Sequence, residues 1–236
     1  MFKTELHLHS AGVSKCATIT FDELVEKYVS AGYSTIVLTN HMFKSNAERY
    51  GTWDDFMYEY ISSYETLKEK AGGRLNVLFS VEIRFTENWN DYLVYGITQE
   101  FLREHKDVCE LGLDGFYKVA NENDFLIYQA HPFRHGMTIP DVRYLYGIEV
   151  FNGAHGHNSR NPIANAWADY HGLRKISGTD LHHNSSPVSA GIITENEIKD
   201  METLKAVLRS NDYTLIRKPW KRFLGNKPSI HSKEID

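Results

Sequence analysis

Short apolar segments alternate with amphipathic segments along most of the chain. Runs of strand length, rich in aliphatic and aromatic side chains, are typical of buried β-strands. They occur at residues 4–8, 35–39, 75–81, 92–97, 125–129, 147–151, 174–177 and 213–216.

Helical periodicity marks the segments between several of these strands. The first helix follows a capping box formed by Thr20 and Glu23, and its apolar positions recur at helical spacing until Gly32. Three more helices are predicted: one from Trp53 to the glycine pair Gly72-Gly73, one with Asn161 as N-cap and Pro162 at its first position, and one over residues 195–209.

This alternation of strands and helices predicts an α/β fold with a parallel sheet, either open or closed. At 236 residues, with 42% hydrophobic residues, the chain has enough apolar material for one large core. We therefore predict a single domain over residues 1–236, whose chemical motifs lie within residues 4–183. Residues 184–236 would add a closing helix, a strand and a basic tail.

Metal-binding side chains stand near the ends of the predicted strands. His7 and His9 share one face of the first strand, because alternate residues of a strand point the same way. The ends of parallel strands gather at one edge of a sheet, where active sites lie, so residues distant in sequence are expected to converge. The later strands are followed or ended by His41, Glu82, His131, Asn152, Asp180 and His182.

Imidazoles combined with carboxylates are good ligands for zinc, manganese or iron. Without a metal, such a buried cluster would need many specific polar partners. Several histidines share few carboxylates here, which indicates more than one ion, with Glu82 as a possible bridge. A lone pair of histidines on a strand is a weak signal, so the prediction depends on the whole set.

Composition narrows the class of protein. The net charge of -5 gives no global basic field for nucleic acid, and the basic C-terminal cluster around Arg217 and Lys221 is expected to be a solvated tail. Two cysteines, Cys16 and Cys109, cannot build a disulfide framework, which favours a reducing compartment. No apolar run has the length of a membrane span, and the N-terminus lacks a signal-peptide core. We expect a cytoplasmic protein without membrane contact; its oligomeric state is left open.

The ordered motifs HLHS, TNH, VE, AHPFR and GTDLH resemble the PHP family, the polymerase and histidinol phosphatase domain. The similarity extends from about Thr4 to His183. It implies a distorted, TIM-like (β/α)7 barrel with two or three divalent metal ions at the ends of the strands, and phosphoesterase chemistry. By this resemblance, one ion has His7, His9, Glu82 and Asp180 as ligands, a second has Glu82 and His131, and a third has His41 and His182.

The sequence departs from the family pattern at three positions. Glu5 replaces the usual acid of the opening motif, which is tolerable if that acid only supports the ligands. Asn40 replaces an aspartate and brings no charge. Asp91 stands where a histidine before an apolar strand often serves as a ligand of the second ion.

The family usually has one further ligand of the third ion between the first strand and the first helix. Cys16 falls at about that place, and thiolate is a good zinc ligand. A buried loop cysteine that acts as a small apolar residue is an equally open interpretation.

The predicted reaction is hydrolysis of a phosphate ester by a metal-activated hydroxide. Arg134 is the candidate clamp for the phosphate, because its planar fork matches phosphate oxygens. His182 or His155 would protonate the leaving group, and Asn152 would help to bind the substrate. A small phosphomonoester is the favoured substrate; nucleic acid is a less favoured partner.

Two alternatives remain open. A metal-dependent amidohydrolase also uses two alternating histidines on its first strand, but a lysine bridge is expected where this chain has Glu82. The other alternative is a non-catalytic module that keeps the fold as an interaction surface, which the changes at Asn40 and Asp91 would permit.

Overall fold

The computed structural model describes residues 1–218, which form a mixed α/β structure with eleven strands and seven helices. The strands are β1 Phe2–Leu8, β2 Thr35–Leu38, β3 His41–Phe43, β4 Asn76–Phe79, β5 Val81–Arg84, β6 Asp91–Tyr95, β7 Leu126–Gln129, β8 Gly147–Asn152, β9 Arg174–Gly178, β10 Ala190–Thr194 and β11 Thr214–Arg217. The helices are α1 Phe21–Ser30, α2 Lys44–Ala47, α3 Trp53–Ala71, α4 Gln99–Glu104, α5 Gly112–Glu122, α6 Asn161–His171 and α7 Met201–Ser210.

The strands form two mixed sheets, in the orders β11-β10-β1-β2-β4 and β3-β5-β6-β7-β8-β9. The prediction of strand and helix alternation is confirmed, but the two sheets are not closed into the expected seven-stranded barrel. The division lies where two chain segments bend, at Asn40 between β2 and β3 and at Ser80 between β4 and β5. Single backbone hydrogen bonds cross the bends, including the one from Ser80 N to Leu38 O at 3.0 Å.

The expectation of a parallel sheet is wrong in both sheets: β10 runs antiparallel to β1 and β11, and β6 runs antiparallel to both β5 and β7. Residues 85–90 between β5 and β6 are too few for the helical crossover that a parallel pair needs. As a result, the start of β6 lies beside the end of β5, and Asp91 pairs directly with Arg84.

The chain that leaves β9, the edge strand of the second sheet, lies against the end of β1, the central strand of the first sheet. Asp180 N donates to His7 O at 2.7 Å, and His9 N donates to Leu181 O at 3.0 Å. This junction places the segment after β9 against the end of β1, which brings together candidate ligands separated by about 170 positions in the sequence.

Helix α1 begins after the predicted capping box, with both reciprocal hydrogen bonds between Thr20 and Glu23. Helix α3 ends at Gly72 in the left-handed conformation, as the glycine pair predicts. Helix α6 differs in its cap: Asn161 is its first residue, and its side chain binds the backbone of Asn152 instead.

The last predicted helix and strand are both present, but the helix begins later in the sequence than predicted. Helix α7 begins at Met201, about six residues later than expected, because Asp200 provides the N-cap and accepts from Thr203 N at 2.7 Å. Strands β3 and β10 and helices α2, α4 and α5 had no predicted counterparts. Lys221, Arg222, Lys227 and His231, which include most of the basic tail, lie outside the described residues.

A buried apolar cluster lies between the two sheets and takes side chains from strands of both. Its members from the strands include Leu6, Val37, Leu78, Leu93, Tyr128, Ile176 and Ile192. A second, larger cluster fills the space between the second sheet and the helices, and it contains the aromatic face of α3, including Phe56 and Tyr60. The sheets are therefore held together by apolar packing, and the polar site lies at their ends.

Candidate metal centre

The predicted ligands converge at one end of the two sheets. His7 lies on β1, His9 directly after it, His41 opens β3 and Glu82 lies on β5. His131 follows β7 by two residues, and Asp180 and His182 follow β9 by two and four. The side chains of His7, His9 and Glu82 are fully buried, and those of His131, Asp180, His41 and His182 are between 2% and 19% exposed.

Glu82 is at the centre of this cluster. Its Oε1 lies 3.2 Å from His7 Nε2 and 3.0 Å from His131 Nε2. Its Oε2 lies 3.4 Å from His9 Nε2 and 2.7 Å from His41 Nδ1. Burial disfavours the carboxylate, but the surrounding imidazoles hold the pKa of Glu82 well below its ordinary value. A single ionised carboxylate thus touches four imidazoles, as a bridging ligand would.

Asp180 forms the other acidic side of the cluster. Its Oδ1 lies 3.2 Å from His9 Nε2 and 3.5 Å from His7 Nε2, while its Oδ2 accepts from Arg134 Nη2 at 2.7 Å. Burial opposes ionisation, but His7, Arg134 and His182 lower the pKa of Asp180 well below its ordinary value.

Two candidate ligands have a backbone conformation that is rare outside glycine. His131 has φ 30° and Asp180 has φ 52°, each just after a strand. Such conformations cost about 1–3 kcal/mol each and concentrate at functional sites. Here they turn both side chains toward Glu82 and the histidines of β1.

Hydrogen bonds at Nδ1 orient three of the imidazoles, those of His7, His9 and His182. Glu149 Oε1 accepts from His7 Nδ1 at 3.0 Å, and the backbone carbonyl of Asp180 accepts from His182 Nδ1 at 3.0 Å. Ser14 Oγ donates to the Asn40 side chain at 2.9 Å and lies 3.3 Å from His9 Nδ1, so it can accept from that nitrogen. With the proton on Nδ1, each neutral ring has a lone pair on Nε2, the atom that binds a metal.

The burial and charges act on the imidazoles in opposite directions. Burial, together with His41 and His182, lowers the pKa of His9 well below its ordinary value. Burial also disfavours charge on His7 and His41, but neighbouring carboxylates raise the pKa of His7 well above its ordinary value and that of His41 to about 10. The carboxylates thus favour positive charge in the cluster, whereas burial and the neighbouring imidazoles oppose the protonation of every histidine at once.

The donor set fits divalent cations. His41 Nδ1 and Glu82 Oε2 are buried and only 2.7 Å apart, yet neither forms a hydrogen bond of acceptable geometry. A cation satisfies such atoms, because both can direct a lone pair at it. Within residues 1–218, groups with ligand atoms less than 4.8 Å apart are His7, His9 and Glu82; His7, His131 and Asp180; His9, His41 and His182; and Glu82, Asp91 and His131.

Cys16 lies beside the third of these groups. Its Sγ is 3.1 Å from His41 Nε2. Desolvation raises the pKa of the thiol, but hydrogen bonds with His182 and His41 outweigh it and lower the pKa to about 6. The position suits a thiolate ligand, and the residue is exposed, unlike the buried Cys109.

Glu5 and Asn40, where the sequence departs from the family pattern, contact the backbone and hydroxyl groups around the site. Glu5 accepts from the backbone N–H groups of His7 and Thr179, and burial raises its pKa to about 7. The Asn40 side chain accepts from Ser10 N at 2.9 Å and donates to Ser63 Oγ at 3.0 Å. Both residues therefore hold the strands that carry the ligands.

A cavity of about 590 Å³ opens onto the centre. Arg134 lines it, but its Nη2 is engaged by Asp180 and by Asn152 Oδ1 at 2.9 Å. The structure places Asn152 behind Asp180, with Nδ2 donating to Glu149 Oε2 at 2.8 Å. Residues that line the cavity include His41, Arg84, Asp91, His131, Arg134, His155, His157, Asp180, His182 and His183.

Three residues that contact the candidate ligands or line the cavity were not predicted from the sequence. Glu149 is the charged residue in the buried strand GIEVFN, which is a recognisable signal for a polar role. Arg84 follows Glu82 by two residues, so strand alternation places both on one face. Ser14 carries no signal in the sequence, because only the folded loop brings it to His9.

No protein-family model and no curated protein matches the chain. Solved structures do match it, and the three described below, each 14% identical, share its fold. A two-domain protein from Bacteroides vulgatus, described as containing a predicted PHP-like metal-dependent phosphoesterase, aligns over 92% of this chain and 65% of its own, with a TM-score of 0.63. The chain thus spans less than two thirds of that protein.

Two further structures share the fold. PsfC from Pseudomonas syringae aligns with a TM-score of 0.61 over 87% of both chains. A protein from Bifidobacterium adolescentis, described as a metal-dependent phosphoesterase, aligns with a TM-score of 0.51 over 88% of this chain and 96% of its own. The resemblance in the motifs is therefore confirmed in the fold: one structural neighbour is described as containing a predicted PHP-like metal-dependent phosphoesterase.

No helix within residues 1–218 is long and apolar enough to cross a membrane.

Proposed function

We propose that the protein is a metal-dependent phosphoesterase that hydrolyses small phosphomonoesters. The observation that carries the proposal is the position of Glu82: one buried carboxylate contacts four imidazoles from three separate chain segments, and two of these imidazoles, His41 and His131, line an open cavity. A purely structural cluster would be expected to join its polar atoms by well-aligned hydrogen bonds, but within residues 1–218 His41 Nδ1 and Glu82 Oε2 lie 2.7 Å apart without one.

The residues would hold two or three divalent ions, with zinc, manganese and iron all compatible with nitrogen and oxygen donors. When bound, such ions lower the pKa of water to about 7 and neutralise charge on phosphoryl oxygens. His7, His9, Glu82 and Asp180 would hold one ion, with the remaining ligands drawn from His131, His41, His182 and Cys16.

The protein side chains position the ester and supply protons. Arg134 lines the cavity and remains the candidate clamp, although its pairing with Asp180 also fixes that ligand. His182 and His155 both line the cavity, and we assign the protonation of the leaving oxygen to one of them. The Glu149 carboxylate keeps His7 oriented throughout.

The size of the cavity supports a small substrate. About 590 Å³ lies within the range of sites for small molecules and cofactors. The net charge of -5 argues against a long polyanion, which needs an extended basic surface.

We propose a cytoplasmic location, because the chain has only two cysteines and they do not form a disulfide framework.

The test is hydrolysis of p-nitrophenyl phosphate after chelation and reloading with zinc, manganese or iron. We expect activity that depends on the metal. Asp180→Asn and His9→Ala should each lower the hydrolysis rate by more than about 100-fold, the upper end of the loss seen when a residue that only hydrogen-bonds a metal ligand is replaced. Asp114→Asn is the matched control, because Asp114 is exposed and paired with Lys118 on the surface. Unchanged activity in both site variants would refute the site.

The same preparations separate the two alternatives. Cleavage of p-nitroacetanilide in preference to the phosphate ester would favour an amidohydrolase. Well under one metal ion per chain after reconstitution would favour the non-catalytic module.

A further inference from the structure

Arg84 is a second, partly buried arginine of the cavity, and its partner is Asp91. The two residues are directly opposite each other in the antiparallel pair of β5 and β6. Arg84 Nε donates to Asp91 Oδ1 at 2.7 Å, and Nη2 donates to Oδ2 at 2.8 Å. Both oxygens of the carboxylate are therefore engaged by one guanidinium, in the geometry that gives the strongest pairing of these groups.

Aromatic rings hold the guanidinium of Arg84 from the other side. Its carbon lies 4.2 Å from the centre of the Phe43 ring and 5.2 Å from that of Trp89. Phe43 in turn stacks on His41, with ring centres 4.4 Å apart. These contacts restrict the guanidinium to one place at the wall of the cavity, where 26% of the side chain stays exposed.

The donors of Arg84 are not exhausted by these contacts. Its hydrogen bonds within residues 1–218 go through Nε and Nη2 to Asp91, so Nη1 keeps its N–H groups for a ligand. Within the same residues Arg134 forms hydrogen bonds only through Nη2, to Asp180, Asn152 and Ser159, and its Nε is fully buried. Arg84 is the more accessible of the two to an anion, because 26% of its side chain is exposed against 17% for Arg134.

Asp91 is poorly placed to act as a metal ligand at the same time. Its Oδ2 is 3.7 Å from His131 Nε2, which keeps it close to the candidate ion of Glu82 and His131. An ion bound to that oxygen would lie beside the guanidinium that the oxygen already binds, and like charges at such distances repel strongly in a buried site. The guanidinium instead supplies a fixed positive charge at this place.

We propose that Arg84 binds a phosphoryl oxygen of the substrate, and that Asp91 is the positioning residue of Arg84 rather than a metal ligand. The proposal rests on the proposed function, since it assigns the phosphate of that reaction to a residue. The motif resemblance implies a ligand of the second ion at position 91. By the proposal, that position instead orients an arginine that binds the phosphate.

The experiment measures two equilibria that need no turnover: metal content per chain after reconstitution, and binding of inorganic phosphate to the metal-loaded protein by calorimetry. The variants are Arg84→Met, Arg84→Lys, Asp91→Asn and the double variant of Arg84→Met with Asp91→Asn. Arg143→Met and Asp141→Asn are matched controls, because that pair has the same two-point contact on the surface, with the Arg143 side chain 78% exposed.

We expect every variant to keep the metal content of the unaltered protein. Arg84→Met should weaken phosphate binding by about tenfold or more, the effect of losing a charged hydrogen bond. Asp91→Asn should weaken it less and add little in the double variant, because a positioning residue has no effect once its partner is absent. Arg84→Lys, which keeps charge and bulk, should fall between, and the controls should bind phosphate normally.

Loss of a metal ion in Asp91→Asn would overturn the proposal, because it would show that Asp91 is a ligand. Phosphate binding at the unaltered strength in both Arg84 variants, or no phosphate binding in the unaltered protein, would overturn it as well. The proposed function has its own outcome in the hydrolysis assay. Hydrolysis that survives in Arg84→Met with normal phosphate binding would refute Arg84 and leave the reaction intact.

Discussion

Replacement of Glu149 with glutamine changes one charge beside the centre and almost no volume. Glu149 Oε1 accepts from His7 Nδ1, and Oε2 accepts from His131 N at 2.9 Å and from Asn152 Nδ2. In the glutamine variant, the side-chain oxygen keeps both hydrogen bonds of Oε2 if it takes the place of that atom. The amide nitrogen then takes the place of Oε1 and faces His7. The amide then donates, so His7 Nδ1 must accept and the ring proton moves to Nε2, toward Glu82.

This tautomer blocks the atom that would bind a metal. Loss of an outer partner of this kind typically weakens metal affinity by about 10- to 100-fold, or about 1.4 to 2.7 kcal/mol. Because neighbouring carboxylates, Glu149 among them, raise the pKa of His7, the metal-free protein loses a charge-assisted hydrogen bond, and we expect its free energy of unfolding to fall by about 1.5–3 kcal/mol.

The assay is competition for the metal against a chelator of known affinity, combined with urea unfolding of the metal-free protein. Glu110→Gln is the matched control, because Glu110 is half-exposed and paired with Lys44 away from the ligands. A Glu149→Gln protein with unaltered metal affinity would refute the assignment of the His7 tautomer to Glu149. A collapse in stability without metal would show that Glu149 supports the fold instead.

Three further changes test the site and the fold. In Gly178→Ala, the added carbon would lie 2.3 Å from the β-carbon of His7 and displace that ring, so the metal content should fall. Gly115→Ala is the control: it lies within α5 and has room for the added carbon, so the free energy of unfolding should rise by about 0.5–1 kcal/mol. Normal metal content in the first variant would contradict the crowding. Metal loading should slow alkylation of Cys16 by iodoacetamide, and equal rates with and without metal would favour its role as a small apolar residue. Thr20→Ala should lower the free energy of unfolding by about 1 kcal/mol in urea, through loss of the capping box, and an unchanged transition would contradict that contribution.

The local signals in the sequence were reliable where one segment contains the whole interaction. The capping box at Thr20, the glycine stop at Gly72 and the strand of His7 depend on neighbours a few residues away. Helix α5 was missed despite an amphipathic pattern, and the start of α7 was placed too early because Asp200, not the upstream acids, caps it.

The sequence by itself determined which residue types stand at the strand ends, and therefore the kind of chemistry to expect there. It did so because alternation along a strand and the polarity of parallel strands are local or general properties. The division into two sheets was decided only in the folded chain, where the bends at Asn40 and Ser80 interrupt the pairing of neighbouring strands.

Only the tertiary structure assigned partners to the charges. Asp91 looked like a metal ligand in the sequence, but the antiparallel hairpin places it opposite Arg84, which engages both of its oxygens. Glu149 lies 142 positions from His7 and contacts it only because β1 and β8 approach the same point. The energy of a buried charge depends on what lies within a few ångströms of it, and that distance is set by the fold.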